Sequence, residues 1–177
     1  MPEYILASPW ELLFYALLGL LAGLVGVGFT RLLYLSEDLW DGLHFPEYFK
    51  PVLGGLGLGV LGILTPKIGG FPRAFGVGYD SISQALSGQL VLQATVVLLL
   101  AKLLATIVTL GSGGSGGIFA PSLFMGAMLG EAFGQIVHIL FPAITAPSGA
   151  YALVGMAAVF GGAAHAPVTA ILILFEM

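Results

Sequence analysis

The sequence predicts an all-α membrane protein, and three observations predict it. Only 8% of the 177 residues are charged, 58% are apolar with a mean hydropathy of +1.05, and the apolar residues gather into long uncharged runs. A soluble domain carries roughly 25% charged residues, so this chain lacks the side chains to cover a surface facing water. The lipid bilayer is its solvent. Nine acids and five bases give a net charge of −4 with no basic tract, which excludes nucleic-acid binding. Cysteine is absent, so disulfides, thiolate metal sites and thiol nucleophiles are excluded. No basic segment precedes the first apolar run, and a cleaved signal peptide is not expected.

Leu12 to Phe29 is an uncharged run that, with Trp10 and the Leu-rich flank to Leu35, is long enough to cross a hydrocarbon core as a tilted helix. Gly19, Gly23 and Gly26 lie three or four apart on one of its faces, the small-residue pattern that brings helices close together in lipid. Glu37, Asp38 and Asp41 read as the polar loop that ends it. Val52 to Thr65 is a shorter segment, interrupted by glycines and closed by Pro66 and Lys67. Residues 68 to 89 read as a loop holding one short helix, Ser81 to Leu86, with Asp80 or Ser81 as N-cap. Leu90 to Leu110 is a second strong span, broken by Lys102 alone. Ile118 to Phe141, Gly149 to Ala164 and Pro167 to Met177 complete the chain, separated by Pro142, Pro147 and Pro167. The expectation is about seven uneven, tilted and broken helices in one integral membrane unit, residues 1–177, with no soluble domain. Arg31 and Lys50 favour a cytoplasmic first loop, but Lys67 and Arg73 argue the other way, so orientation stays open.

Broken helices carry a functional meaning here. Unpaired backbone groups cost several kcal/mol each in hydrocarbon, so irregular backbone at that depth lies buried in protein or along a wet path for a polar solute. The most informative stretch is Gly111-Ser112-Gly113-Gly114-Ser115-Gly116-Gly117-Ile118-Phe119-Ala120-Pro121. Its small residues approach a helix start, with Pro121 expected at the first helical position. The N–H groups of Ile118 and Phe119 then have no intrahelical acceptor and face along the axis, where an anion is the natural occupant. Gly117, Ala120 and Pro121 shape that start. Ser112, Ser115 and Lys102 are candidate lesser contributors. Neutral donors suit a permeating anion, because a full opposite charge in low dielectric would trap it.

Rival readings exist. Gly111, Gly113 and Gly116 satisfy G-x-G-x-x-G, but a long apolar helix precedes them where a dinucleotide site needs a strand. A plain Gly/Ser linker does not account for the Ile-Phe-Ala-Pro that follows. A packing or assembly module in the membrane, with glycines serving contact alone and no anion bound, is the alternative to a transport function.

The stretch from Gly111 to Leu123 resembles the GxFxP signature of the CLC family of chloride channels and chloride/proton antiporters. Gly78-Tyr79-Asp80, Ala101-Lys102-Leu103, Gly126, Gly130, Gly134, Gly155-Met156, Ala166-Pro167-Val168-Thr169 and Phe175-Glu176-Met177 agree with that family in order and spacing. The resemblance implies a fold of two inverted halves, with this chain supplying most of the second half. It implies that the amides of Ile118 and Phe119 hold a central chloride, that the full-length protein is a homodimer in a bacterial inner membrane, and that protons are coupled in some members. The family's GSGIP and GxEGP loops do not occur in this sequence, so the central serine and the gating glutamate are missing, as is the tyrosine near the domain's end. The chain reads as a piece of a longer protein that does not transport alone.

Five further ionisable residues lie in apolar surroundings. Glu131 is expected near the interface or paired within the protein, and Lys102 is expected to snorkel, to pair with Glu131 or Glu176, or to bias the anion path. His138 and His165 lie near helix ends and read as capping or interface residues. No set of ligands at metal spacing, no cofactor motif and no catalytic constellation is expected, so the chain reads as a non-enzyme.

Overall fold

The computed structural model describes residues 8–64 and 71–176, with no side chains described for residues 64, 71, 72 and 174–176. Lys67 and the side chain of Glu176 lie outside the described residues. Seven α-helices follow in order: α1 Glu11–Asp41, α2 Lys50–Leu64, α3 Tyr79–Leu86, α4 Leu92–Gly111, α5 Phe119–Leu140, α6 Ser148–Ala164 and α7 Pro167–Glu176. Two 3₁₀ turns, Glu47–Phe49 and Phe71–Ala74, precede α2 and α3, and no strand occurs among the described residues. The uneven lengths agree with the expected broken helices.

Three helices are long and apolar enough to span a bilayer: α1, α4 and α5. α1 has 31 residues, about 46 Å at 1.5 Å per residue, so it tilts or extends beyond a hydrocarbon core of about 30 Å. It runs through Glu37 and Asp38 to Asp41, so these acids form its last turns and not a loop. The negative end of the helix disfavours water-exposed carboxylates by only about 0.3–1 kcal/mol, and Lys50 Nζ lies 3.6 Å from Asp41, so the helix continues through them. The helix stops where the Gly42 N–H bonds the Asp38 carbonyl at 3.0 Å.

The core is built around α5. Of its most apolar window 56% is buried within the protein, against 22% for α1, so α5 is the helix most surrounded by others. Phe124, Met125, Ala127 and Met128 have no exposed surface. Gly126, Gly130 and Gly134 recur every fourth residue along one face and form a seam with α6. A Cβ at Gly126 would strike the Gly155 carbonyl, one at Gly130 the Tyr151 carbonyl, and one at Gly134 the Ser148 Cα at 2.8 Å. This is backbone-to-backbone packing that only glycine permits. On α1, a Cβ at Gly26 would meet the backbone of Ala163, and a Cβ at Gly162 would come within 3.7 Å of the Gly23 Cα, whereas a Cβ at Gly19 or at Gly23 itself would meet nothing within 4 Å. The expected three-glycine face therefore reduces to two contacts.

Chain reversals follow local rules. α4 ends in a Schellman motif: Gly113 takes φ +83, its N–H bonds the Leu110 carbonyl at 2.9 Å, and the Gly114 N–H bonds the Thr109 carbonyl at 2.8 Å. Gly113→Ala forces a Cβ into the left-handed region and is expected to cost about 1–2 kcal/mol, read as a lower thermal midpoint of the purified protein. α3 begins two residues earlier than expected, and its N-cap is Gly78 at φ +78, not Asp80 or Ser81. Asp80 lies exposed in the first turn. The reason is steric: at this position a Cβ would also meet the Phe124 ring at 2.5 Å, so a larger capping residue does not fit.

Candidate anion site

The segment between α4 and α5 divides into two functions. Gly111 to Gly114 terminates α4, and Ser115 to Gly117 leads into α5, whose N-cap is Ile118 with φ −92 and ψ −18. Phe119 is therefore the first helical residue and Pro121 the third. The expected placement of Pro121 at the first position is corrected by two residues. Proline is still tolerated, because the third N–H of a helix also lacks an intrahelical acceptor. The first bond of the helix runs from the Ser122 N–H to the Ile118 carbonyl at 3.0 Å. Among the described residues, no protein acceptor takes the N–H of Ile118, Phe119 or Ala120.

Phe119 and Ala120, two of these three residues, line a cavity of about 550 Å³. Gly117, Phe119 and Pro121 wall it from the α5 start, Lys102 and Thr106 from α4, and Gly76 from the segment before α3. Ser115 also lies on its wall, but Ile118 does not. The Phe119 ring is fixed edge-on against Phe160, with centroids 4.9 Å apart at 78°. An α-helix presents about half a positive elementary charge at its N-terminus, so α5 places a positive end and unbonded amides on one wall.

Lys102 does not snorkel. It is 4% exposed, its Nζ donates to the Ala74 carbonyl at 2.9 Å and to the Gly76 carbonyl, and it lies 5.1 Å from the centroid of the Phe124 ring. Its hydrogen bonds go to these carbonyls and not to Glu131. Packing explains the difference: the 71–78 segment covers α4 at this level and offers backbone acceptors closer than water. Gly76 and Gly78, both at positive φ, turn the backbone so that this segment folds over the lysine. Lys102→Met leaves two carbonyls without their donor and is expected to lower stability by about 1–3 kcal/mol, measured by thermal unfolding in detergent, with Lys102→Arg closer to the parent.

The hydroxyls near the site differ in what they offer. Thr106 and Thr109 donate to the carbonyls of Lys102 and Ala105 at 2.8 and 2.7 Å, so they present lone pairs and not protons to the cavity. Ser112 is turned away. Its Oγ donates to the Thr109 carbonyl at 3.1 Å and it lines a separate cavity with Glu37, Asp41 and Lys50. The Schellman turn fixes this orientation, so Ser112 is not brought to the anion cavity.

The remaining polar residues have local roles. His138 Nδ1 pairs with the Thr145 hydroxyl at 3.0 Å and ties the end of α5 to the following loop. His165 is the C-cap of α6, in the left-handed region at φ 54. Glu131 is fully buried and bonded within the protein. Glu11, not singled out in the sequence, is equally buried at the start of α1; an acid in the first turn of an apolar helix, four residues before Tyr15, was its only signal. No cluster of metal-binding side chains occurs among the described residues.

Comparison with known proteins agrees with this architecture. Residues 1–177 match the family described as voltage gated chloride channel. The chain is 36% identical over its whole length to a putative chloride channel protein ClcB-like of Ralstonia nicotianae, covering 40% of that protein. It is 34% identical over its whole length to the H(+)/Cl(−) exchange transporter ClcA of Vibrio campbellii, covering 37% of it. Over 92% of its length it is 37% identical to the ClcA exchange transporter of Yersinia pestis, covering 34% of that protein. The chain thus spans well under half the length of these relatives. With its signature at an open helix start and its family match from end to end, this all-α integral membrane chain belongs to the voltage gated chloride channel family.

Proposed function

We propose that the chain forms part of a chloride pathway, holding the anion through the backbone N–H groups of Ile118 and Phe119 at the start of α5. The observation that carries this reading is the unbonded amides at the α5 start, where Phe119 lines the 550 Å³ cavity and Ile118 precedes it. Amides bind a halide without the full countercharge that would hold it too long. Lys102 stands on the same cavity, but its charge is shared with the carbonyls of Ala74 and Gly76. It orders the wall and adds a softened positive potential, without direct ligation. Ser115 is the one serine of the signature on the wall, and it supplies a secondary donor.

The chain corresponds to the second inverted half of the membrane domain, and the functional unit is a homodimer in a bacterial inner membrane with one pathway per subunit. No resident cofactor takes part. The packing-module alternative accounts for the glycines at 126, 130 and 134, which form the α5–α6 seam, but it leaves Gly117, with nothing within 4 Å, and the open amides without a purpose. The test is chloride efflux from proteoliposomes holding the full-length gene product. The expected result is efflux well above that of empty vesicles; efflux at the empty-vesicle level contradicts the reading.

A further inference from the structure

Two buried carboxyls converge on the start of α6. Glu11 of α1 and Glu131 of α5 both have no exposed surface. Glu11 Oε1 accepts the Ala146 N–H at 2.8 Å and the Tyr15 hydroxyl at 3.0 Å. Glu131 Oε1 accepts the Ser148 hydroxyl at 3.0 Å and the Gln135 Nε2 at 2.8 Å, and Gln135 is itself anchored on the Leu90 carbonyl at 2.7 Å. Ala146 and Ser148 are two residues apart, so carboxyls from two helices grip one short segment. Tyr151 lies between those helices, its ring 4.9 Å from Tyr15 and 5.9 Å from Phe133.

The second oxygen of Glu131 has no such place. Oε2 is buried and has no hydrogen-bond partner among the described residues. Among the described residues, the elements packed against α5 supply no positive partner for it. α6 presents Tyr151. α1 presents Glu11 and Tyr15, with Arg31 twenty residues further along, about 30 Å at 1.5 Å per residue. α4 presents Lys102, already bonded to Ala74 and Gly76. α3 presents Tyr79 and Asp80, both exposed. On α5 itself, His138 is bonded to Thr145. Glu11 accepts from the Ala146 N–H and from Tyr15, whereas Glu131 Oε2 accepts from nothing described. An uncompensated buried charge on Glu131 is far more costly than a neutral acid.

We propose that Glu131 is a proton-binding site in the membrane domain, separate from the anion cavity, and that it carries its proton when α5 and α6 are packed as here. With the proton on Oε2, Oε1 is the carbonyl that accepts from Gln135 and Ser148. Loss of the proton sets an uncompensated buried charge beside the Ala146–Ser148 segment and loosens the start of α6. α5 carries Glu131 twelve residues beyond Phe119, about 18 Å along the axis. The proton site therefore acts on the helix that presents the anion donors. This effect on transport rests on the proposed anion site; the proton site itself does not.

Infrared pH titration of the full-length protein in lipid, comparing the parent with Glu131→Gln, tests both parts. The expected result is a carboxylic C=O band at neutral pH in the parent that is missing in E131Q. Parent chloride flux then falls about tenfold per pH unit once that band is lost, and E131Q, which cannot ionise, shows no such fall. Glu131→Met provides the same comparison should E131Q not fold. Equal carboxylic bands in parent and variant overturn the proton site. Different bands with coincident flux profiles overturn its coupling to transport. Absence of chloride flux in the parent overturns the anion reading while the band still decides the proton site.

Discussion

Gly130→Leu is expected to abolish the proposed chloride transport and to yield no stable folded protein, because it forces α5 away from α6. At Gly130 even a Cβ would strike the Tyr151 carbonyl and stand 2.7 Å from the Ala152 Cα. Overpacking costs about 1–3 kcal/mol where side chains can give way. Here the obstruction is backbone on a helix held at both ends: by Glu131 and Glu11 at its start and by α7, through Gly161 against Pro167, at its end. The penalty is therefore expected above that range, a large share of a marginal folding free energy. Because Glu131 adjoins Gly130, separation of the helices also opens its buried carboxyl. Gly19→Leu is the matched control, since nothing lies within 4 Å of that position, and it should leave thermal unfolding and flux near the parent. Retention of the parent's unfolding midpoint by Gly130→Leu would contradict the seam.

Replacing the Phe119 amide by an ester, through incorporation of the corresponding α-hydroxy acid, is expected to weaken chloride binding by about 1.5–3 kcal/mol, or tenfold and more. The substitution removes one N–H and keeps the ring. Phe119→Pro is a poorer experiment. Proline suits the first helical position, but it disfavours the helical backbone region for the residue before it, and Ile118 sits in that region at ψ −18. It also removes the ring packed edge-on against Phe160. An ester at Ala132, deep in α5 where the amide bonds within its helix, separates loss of an anion ligand from loss of a helix bond. Isothermal titration with chloride reads both: the Phe119 ester loses affinity, and the Ala132 ester loses stability first. Unchanged chloride affinity in the Phe119 ester would remove that amide from the site.

The helices were legible because their signal is long-range and redundant. Long apolar runs, uncharged in α1 and interrupted only by Lys102 in α4 and Glu131 in α5, fix these helices within two or three residues at their starts, and prolines mark α6 and α7. The helix ends were less legible, since they depend on close contacts. Nothing in the sequence tells that α1 continues through Glu37 to Asp41, or that Phe124 leaves room only for glycine at the cap of α3. The signature exposed the α5 start for the same reason it resembles its family: a run of small residues before Ile-Phe-Ala-Pro leaves amides open whatever surrounds them. Which side chains share that cavity was not legible. Ser112 and Ser115 are equivalent in sequence, and only the Schellman turn sends one outward and leaves the other on the wall. Lys102 could be placed on its helix but not given its partners, because Ala74 and Gly76 come from a segment whose fold depends on two positive-φ glycines. Glu11 escaped notice because its burial is created by the loop after α5, 135 residues away in sequence.

In the proposed function the open amides of α5 hold the anion. Crystals of the full-length protein grown with bromide in place of chloride test it directly, because bromide scatters anomalously. The expected result is an anomalous peak within hydrogen-bonding distance of the Ile118 and Phe119 nitrogens, beside the cavity walled by Lys102 and Gly76. Bromide bound elsewhere in the membrane domain, with those two nitrogens bonded to protein carbonyls, would contradict it.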